Sequence, residues 1–188
     1  MTLYLIKNES DSRAALQRLL FRHTGHADFR VQTVPGGKPY AVSDTYPSPL
    51  FFSLSHSGGL FALLIHEHPV GVDLQAHSNV RTERLARRWF HPAEYAAYLA
   101  GGCRDEDFFT LWTAKEAYAK YTGLGIASTA RRLSVLSVPE SVYALACLNG
   151  YSLCCCAVGD TGITIHADLA VESYHPASPV PIRSAIYK

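Results

Sequence analysis

The stretches VGVDLQ at residues 70–75 and FFTLWTAKEAYAK at residues 108–120 determine the predicted architecture. The first alternates apolar residues with small or polar ones, which predicts a β-strand with one face toward a core. The second places Trp112, Glu116 and Lys120 four positions apart, on one face of a helix predicted over residues 106–121. A strand followed by a helical block is therefore the centre of the prediction.

Further strands and helices are predicted on both sides of these stretches, with a turn at residues 35–37. Asn149 and Gly150 lie between two apolar runs and predict a hairpin in which both turn residues have positive φ. Strands, then helices, then strands again indicate the α+β class. The other predicted strands span residues 2–7, 29–34, 51–55, 60–65, 142–148, 151–158 and 163–169, and the other predicted helices span residues 11–23, 80–90 and 92–99.

The composition favours a globular protein. Hydrophobic residues make up 48% of the 188 residues and charged residues 18%, which is enough to form a core. The 17 Lys and Arg balance the 16 Asp and Glu, so the overall charge argues against nucleic-acid binding. The first ten residues are too short and polar for a signal peptide, and no apolar run approaches the ~18 residues of a membrane helix. We therefore expect no membrane contact.

The five cysteines include three consecutive ones at residues 154–156 but no CxxC spacing. The pattern indicates neither a disulfide framework nor a zinc site. Because no export signal is predicted, we expect reduced cysteines and a cytoplasmic protein.

The polar face of the strand at residues 70–75 is a candidate cation site. Gly71, Asp73 and Gln75 share this face, because alternate residues of a strand point the same way. A carboxylate beside an amide oxygen suits a hard cation, although an ordinary solvated strand face has the same pattern. On the predicted helix, Glu116 and Lys120 could hold a metal-bound phosphate, or form a surface salt bridge worth about 0.3–0.5 kcal/mol.

Residues 52–59, FSLSHSGG, are a candidate phosphate-binding segment. Hydroxyls, an imidazole and two glycines with open backbone at a strand end offer donors to a phosphate. Ser55 and His56 could instead form a hydrolytic pair, but the GxSxG pattern is missing and sequence neighbours rarely acquire triad geometry. The segment GGKPY at residues 36–40 lacks the P-loop spacing and by itself predicts only a turn.

The order of five motifs resembles that of the phosphopantetheinyl transferase superfamily, in its larger, pseudo-dimeric type. This resemblance implies two similar α/β lobes packed as a pseudo-dimer, each with a small, mostly antiparallel sheet and a packed helix. The lobes would span residues 1–70, on the nucleotide side, and 71–174, on the metal and pantetheine side, with a tail at 175–188. The motifs are GGKPY (36–40), FSLSHSGG (52–59), GVDLQ (71–75), FHPAEY (90–95) and FTLWTAKEAYAKYTGLG (109–125).

The activity that this resemblance implies is transfer of the 4'-phosphopantetheine arm of coenzyme A to a serine of an apo acyl or peptidyl carrier protein, with release of adenosine 3',5'-bisphosphate. Mg²⁺, or Mn²⁺, would be bound by Asp73 and Glu116, which with Lys120 are the implied catalytic residues. Many relatives have an acid where this chain has Gln75, so whether Gln75 binds the metal stays open. The enzyme would act as a monomer. The alternative is a non-catalytic module that binds coenzyme A or the carrier protein.

The resemblance also implies a binding site for coenzyme A. Lys120 would contact its phosphates, His56 would bind the 3'-phosphate, and Ser55 would lie beside it. Arg13, in the first helix, is the best match to an arginine that reaches the same phosphate. Three consecutive residues would line the adenine end: Gly37, Lys38 and Pro39.

Two glutamates are candidates for the base that takes the proton of the carrier serine. Glu116 would act directly or through a water that it orients. Glu94 matches a family position near the pantetheine, but a glutamate at the start of a helix is also favoured by the helix dipole alone.

Arginines at positions 81, 84 and 88 form a basic stripe on the helix predicted over residues 80–90. Since carrier proteins of this family are usually acidic, the stripe would serve as their docking surface. An ordinary charged helix face is the alternative.

Overall fold

The structure, a computed structural model, is of the α+β class with two β-sheets. It describes residues 1–7, 11–34, 37–139, 141–146, 148–159, 162–168 and 178–186. The strands in these ranges are β1 (Thr2–Lys7), β2 (Arg30–Thr33), β3 (Pro39–Val42), β4 (Leu50–Ser57), β5 (Leu60–His66), β6 (Val70–Ala76), β7 (Ser141–Ala144), β8 (Tyr151–Ala157), β9 (Thr164–Asp168) and β10 (Val180–Pro181). The helices are α1 (Ser12–Thr24), α2 (Thr82–Trp89), α3 (Pro92–Ala100), α4 (Asp105–Thr122), α5 (Ile126–Thr129) and α6 (Ile182–Ile186).

The first sheet has the strand order β2-β3-β4-β5-β1-β9 and is covered by α1. Neighbouring strands run antiparallel, except that β9 runs parallel to β1. The buried leucines of α1 pack with Phe61 and Leu63 of β5. The helix begins after Asp11, whose Oδ1 accepts hydrogen bonds from two backbone N–H groups of the first turn (2.9 and 3.1 Å). It ends at Gly25, which adopts the left-handed conformation typical of helix ends.

The second sheet has the order β10-β7-β8-β6 and is covered by α4. Ala114 and Ala117 of α4 are fully buried in one cluster with Cys154 and Cys156 of β8. Because these alanine side chains are small, the helix can lie close to the sheet and leave no void between the two. α3 and the end of α2 pack on α4 through aromatic rings, among them Tyr98 of α3, Phe90 directly after α2, and Phe108 of α4.

The two sheets share a hydrophobic core. Leu5 and Leu64 of the first sheet lie in one buried cluster with Val72 and Leu74 of β6 and Leu153 of β8. At this joint β4 also lies against β6, which is an edge strand of the second sheet. Six of the predicted site residues lie on these two strands and on α4: Ser55, His56, Asp73, Gln75, Glu116 and Lys120.

Most predicted elements are present, with shifted ends. The strand predicted at residues 2–7 is confirmed as β1, and the helix predicted at 106–121 is α4. The strand predicted over 142–148 corresponds to β7, which ends earlier, at Ala144. In the following hairpin Gly150 has a φ of 75°, whereas Asn149 does not have a positive φ. One positive φ suffices for a turn in which Tyr151 N–H donates to Leu148 O (3.4 Å).

The predicted lobe boundaries do not coincide with membership of the two sheets. The boundary after residue 70 separates β5 from the body of β6, which belong to different sheets. However, β9 lies within the span 71–174 and pairs with β1 of the first sheet. The predicted tail contributes β10, which pairs with β7, and α6, whose Ile182 and Ile186 join the core around α4. Both connections join residues far apart in sequence, so no local pattern indicates them.

No helix in the described ranges is both long and apolar enough to cross a membrane. Cys147 and the predicted turn residues Pro35 and Gly36 lie outside those ranges. The four described cysteines form no disulfide bonds with one another: Cys103, Cys154, Cys155 and Cys156.

Candidate functional site

Asp73 of β6 lies at the centre of a polar cluster at the joint of the two sheets. Only 6% of the residue is exposed. Its Oδ1 accepts hydrogen bonds from Ser55 Oγ of β4 and from Lys120 Nζ of α4, each at 2.7 Å. Lys120 Nζ also donates to Leu54 O (3.3 Å), so the lysine links all three elements. The predicted strand acid and helix lysine are therefore in direct contact.

Gly71 explains why α4 can approach β6 so closely. A Cβ at this position would lie 1.9 Å from Ala117 O and 2.7 Å from Tyr121 N, both backbone atoms of α4. No side chain larger than hydrogen fits there without moving the helix. The glycine thus lets α4 lie close enough for Lys120 to reach Asp73, while Glu116 faces the same cleft as Lys120.

Glu116 lines the same cleft as Lys120, the partner of Asp73. Burial raises the pKa of Glu116, the negative charge of Asp73 raises it further, and the ammonium of Lys120 partly offsets both effects. A cation bound between two partly buried carboxylates would offset their mutual repulsion, so such a pair favours cation binding. They offer oxygen ligands, which Mg²⁺ and Mn²⁺ accept.

The described residues contain no group of three or more His, Cys, Asp or Glu side chains that could hold a metal ion. Two carboxylates with water ligands still suit Mg²⁺, which usually keeps several waters and needs only one or two carboxylates. Gln75 follows Asp73 on the same face of β6, and its amide nitrogen donates to Ala76 O (3.0 Å) and Ser57 Oγ (3.4 Å). Its role as a metal ligand stays a prediction.

A cleft of about 460 Å³ opens beside this cluster. Glu116 and Lys120 form one side of it, and the GKP segment with Phe52, Ser53 and Leu54 of β4 forms the other. Lys38 Nζ donates to Val70 O and lies 5.9 Å from the centre of the Tyr121 ring. Burial, with the nearby charge of Lys120 adding to it, lowers the pKa of Lys38 to about 8. Two lysines therefore line one cleft, which favours an anionic ligand.

A second cavity of about 620 Å³ adjoins the cleft and contains Arg13. The two share Pro39, Phe52 and Leu54 as lining residues. His56 is exposed and lies on the same face of β4 as Phe52 and Leu54, because side chains alternate along a strand. A long ligand could thus extend from Glu116 past the GKP segment toward Arg13 and His56.

Ser55 does not lie where the resemblance places it. It is 7% exposed, its hydroxyl is bound to Asp73, and it is not among the residues lining the cleft or the Arg13 cavity. Strand alternation turns Ser55 and His56 to opposite faces of β4, so they cannot form a hydrolytic pair. The hydrolase alternative is therefore wrong.

Glu94 is fully buried and ion-paired, which speaks against contact with the pantetheine. Its carboxylate accepts hydrogen bonds from Lys115 Nζ (2.7 and 2.9 Å), Val135 N (2.7 Å) and His91 N (2.8 Å). The bond to His91 belongs to a capping box at the start of α3, the structural alternative considered above. Burial lowers the pKa of Lys115, and Glu94 opposes that shift. Sequence reasoning missed Lys115, although it directly precedes Glu116.

Comparison with known proteins gives a consistent result. The family model of the 4'-phosphopantetheinyl transferase superfamily matches residues 69–174. The 4'-phosphopantetheinyl transferase HetI of Nostoc sp. is 39% identical over 95 residues, which cover 48% of this chain and 40% of HetI. The transferase psf-1 of Bacillus pumilus is 33% identical over 123 residues (61% and 51%). Sfp of Bacillus subtilis is 26% identical over 167 residues (86% and 70%). This chain thus spans about half the length of HetI and psf-1. The same holds for a further relative, a putative 4'-phosphopantetheinyl transferase of Synechocystis sp., of which 48% is covered.

Proposed function

Since the chain belongs to the 4'-phosphopantetheinyl transferase superfamily, we propose that it transfers the 4'-phosphopantetheine arm of coenzyme A to a serine of an apo acyl or peptidyl carrier protein. Adenosine 3',5'-bisphosphate is the second product. The observation that carries this proposal is the contact of Asp73 with Lys120, beside a cleft that Glu116, Lys120 and a second lysine line together. That arrangement combines oxygen ligands for a cation with fixed positive charge for phosphates.

Asp73 and Glu116 would hold the magnesium ion, or manganese in its place. When bound, such an ion supplies Lewis-acid stabilisation of the charge that builds up on pyrophosphate oxygens. Lys120 has a side chain that is 32% exposed and lies between Asp73 and the cleft, so it can add positive charge to the same phosphates. Lys38, Arg13 and His56 would bind the nucleotide part along the two adjoining cavities.

The reaction forms a bond between the carrier serine oxygen and the β-phosphorus and breaks the bond from that phosphorus to the nucleotide. The serine proton needs an acceptor, for which Glu116 is our candidate. Its carboxylate lines the cleft, so it could take the proton directly or through a water that it orients. Glu94 is not a candidate, because all its described partners hold it in the interior.

The carrier protein would dock at α2. Arg81, Arg84 and Arg88 are exposed, and the guanidinium of Arg88 lies 5.3 Å from the centre of the Trp89 ring. The Trp89 ring in turn meets the ring of Trp112, four residues before Glu116. A basic and aromatic surface thus leads from α2 toward the cluster around Asp73, which suits an acidic partner.

We extend the proposal to the setting of the reaction. The chain would act as a monomer of the pseudo-dimeric type, with one lobe on the nucleotide side and one on the metal side. It would work in the cytoplasm, where the buried cysteines of β8 stay reduced.

A second candidate function is a non-catalytic module that binds coenzyme A or the carrier. The neutral Gln75, where many relatives have an acid, is the observation that favours it. Incubation with coenzyme A, Mg²⁺ and a panel of apo carriers separates the two. We expect a carrier mass gain equal to the phosphopantetheine arm, absent with Glu116→Gln. Binding of coenzyme A without any mass gain across the panel would establish the module instead.

A further inference from the structure

Three serines of β4 join the two sheets, and one of them contacts Asp73. Ser53, Ser55 and Ser57 alternate along the strand, so their side chains point to the same face, toward β6. We call these three residues the serine ladder. The outer two accept hydrogen bonds from backbone N–H groups, Ser53 Oγ from Val72 N (3.0 Å) and Ser57 Oγ from Ala76 N (2.9 Å). Because β6 is an edge strand, these N–H groups would otherwise lack a strand partner.

The middle serine differs from the outer two because its hydroxyl donates to a carboxylate instead of accepting from a backbone N–H group. Ser55 Oγ donates to a side chain, Asp73 Oδ1, at 2.7 Å. Lys120 Nζ donates to the same oxygen. Two donors on Oδ1 fix the plane of the carboxylate and make Oδ2 the oxygen available to a cation.

The two donors are not equivalent. The Lys120 side chain is 32% exposed and lines the cleft, so it can turn to a phosphate when one is bound. Ser55 is 7% exposed and is fixed in a strand paired with β5. Ser55 is therefore the donor that holds Asp73 in place during the reaction.

We propose that Ser55 is a positioning residue, which orients the Asp73 carboxylate for a divalent cation and does not bind the nucleotide. This inference rests on the proposed function, because it needs Asp73 to be a metal ligand. Hydrogen-bond partners of metal ligands typically contribute about 10–100-fold to metal affinity. Ser55 acts on the cation only through Asp73.

The test is a titration of the full chain with Mn²⁺ alone. The electron paramagnetic resonance signal of the free ion measures how much Mn²⁺ stays unbound. We expect Ser55→Ala to weaken Mn²⁺ binding by about tenfold or more, and Ser55→Thr, which keeps the hydroxyl, to restore most of it. Ser152→Ala is the matched control, because it removes a buried hydroxyl of the neighbouring strand β8 whose described partners, His77 and Thr110, are not part of the proposed site. Its Mn²⁺ affinity should equal that of the wild type even if its unfolding midpoint falls.

The outcomes distinguish this inference from the proposed function. Equal Mn²⁺ affinity of Ser55→Ala and the wild type would overturn the role of Ser55 and leave the transferase proposal intact. The affinity for adenosine 3',5'-bisphosphate is also measured without metal. If Ser55→Ala lowers this affinity and leaves Mn²⁺ binding unchanged, Ser55 is a nucleotide ligand. If the wild type itself bound no Mn²⁺, the metal site would be refuted and the role of Ser55 with it.

Discussion

Replacing Gly71 by alanine should separate the two halves of the site. The new Cβ would lie 1.9 Å from Ala117 O, whereas ordinary contact begins near 3.4 Å. The obstructing atoms belong to the backbone of α4, so no side-chain rotation can relieve the contact, and the helix must retreat by about 1.5 Å to restore van der Waals distance. A retreat of this size lengthens the 2.7 Å contact between Lys120 and Asp73 to about 4 Å, beyond hydrogen-bond range.

The expected result is a folded but nearly inactive protein. Overpacking of this kind costs about 1–3 kcal/mol of stability, whereas a displacement of about 1 Å at reacting groups can cost on the order of 100-fold in rate. The assay is the initial rate of carrier modification, followed by intact mass, at saturating coenzyme A and Mg²⁺. Thermal unfolding of the same samples measures the loss of stability.

Gly162→Ala is the matched control. Gly162 does not have a positive φ, and an added Cβ would meet nothing within 4 Å. This variant should keep the wild-type rate and unfolding temperature. The reasoning fails if Gly71→Ala keeps most of the wild-type rate, because close approach of α4 would then not be required for activity.

Three further predictions concern other parts of the chain. Glu94→Ala should lower the free energy of unfolding by about 3–5 kcal/mol, because it leaves the Lys115 ammonium buried without its carboxylate partner. Urea unfolding measures this loss, and a loss below ~1 kcal/mol would contradict the prediction. The affinity for adenosine 3',5'-bisphosphate should fall as the pH rises through about 8, where Lys38 loses its charge. Calorimetry should show that the affinity of Lys38→Arg does not change over this pH range. If the wild type and the variant had the same pH dependence, Lys38 would be excluded as its cause. Charge reversal at Arg84 should raise the KM for the carrier but not for coenzyme A, and unchanged kinetics would refute docking at α2.

Local pattern was sufficient to predict the faces that carry the chemistry. Alternation in VGVDLQ places Gly71, Asp73 and Gln75 on one face of a strand, and a spacing of four places Glu116 and Lys120 on one face of a helix. Both placements follow from the backbone geometry of each element alone. That the two faces meet also had a local signal, since the glycine beside the acid leaves room for a neighbour.

Contacts between distant segments were not predictable in this way. Ser55 and His56 are neighbours in one candidate phosphate-binding segment, yet only the packing of β4 against the edge of β6 decides which of them faces Asp73. Glu94 looked like a polar residue near a ligand because its partner, Lys115, is 21 positions away. The tail segment α6 has no strong periodicity, and its place in the core around α4 depends on β10 pairing with β7.

Gly71 and Ser55 determine different features of the geometry of the same site. Gly71 sets the distance between β6 and α4, so its replacement moves Glu116 and Lys120 together and weakens both cation and phosphate binding. Ser55 sets the orientation of one carboxylate, so its replacement leaves α4 in place and weakens cation binding alone. Because neither change removes a proposed ligand, a comparison of metal and nucleotide affinities in the two variants separates the geometry of the site from its composition. A site assembled at the joint of two sheets needs both kinds of control, since neither sheet by itself contains the complete set of ligands.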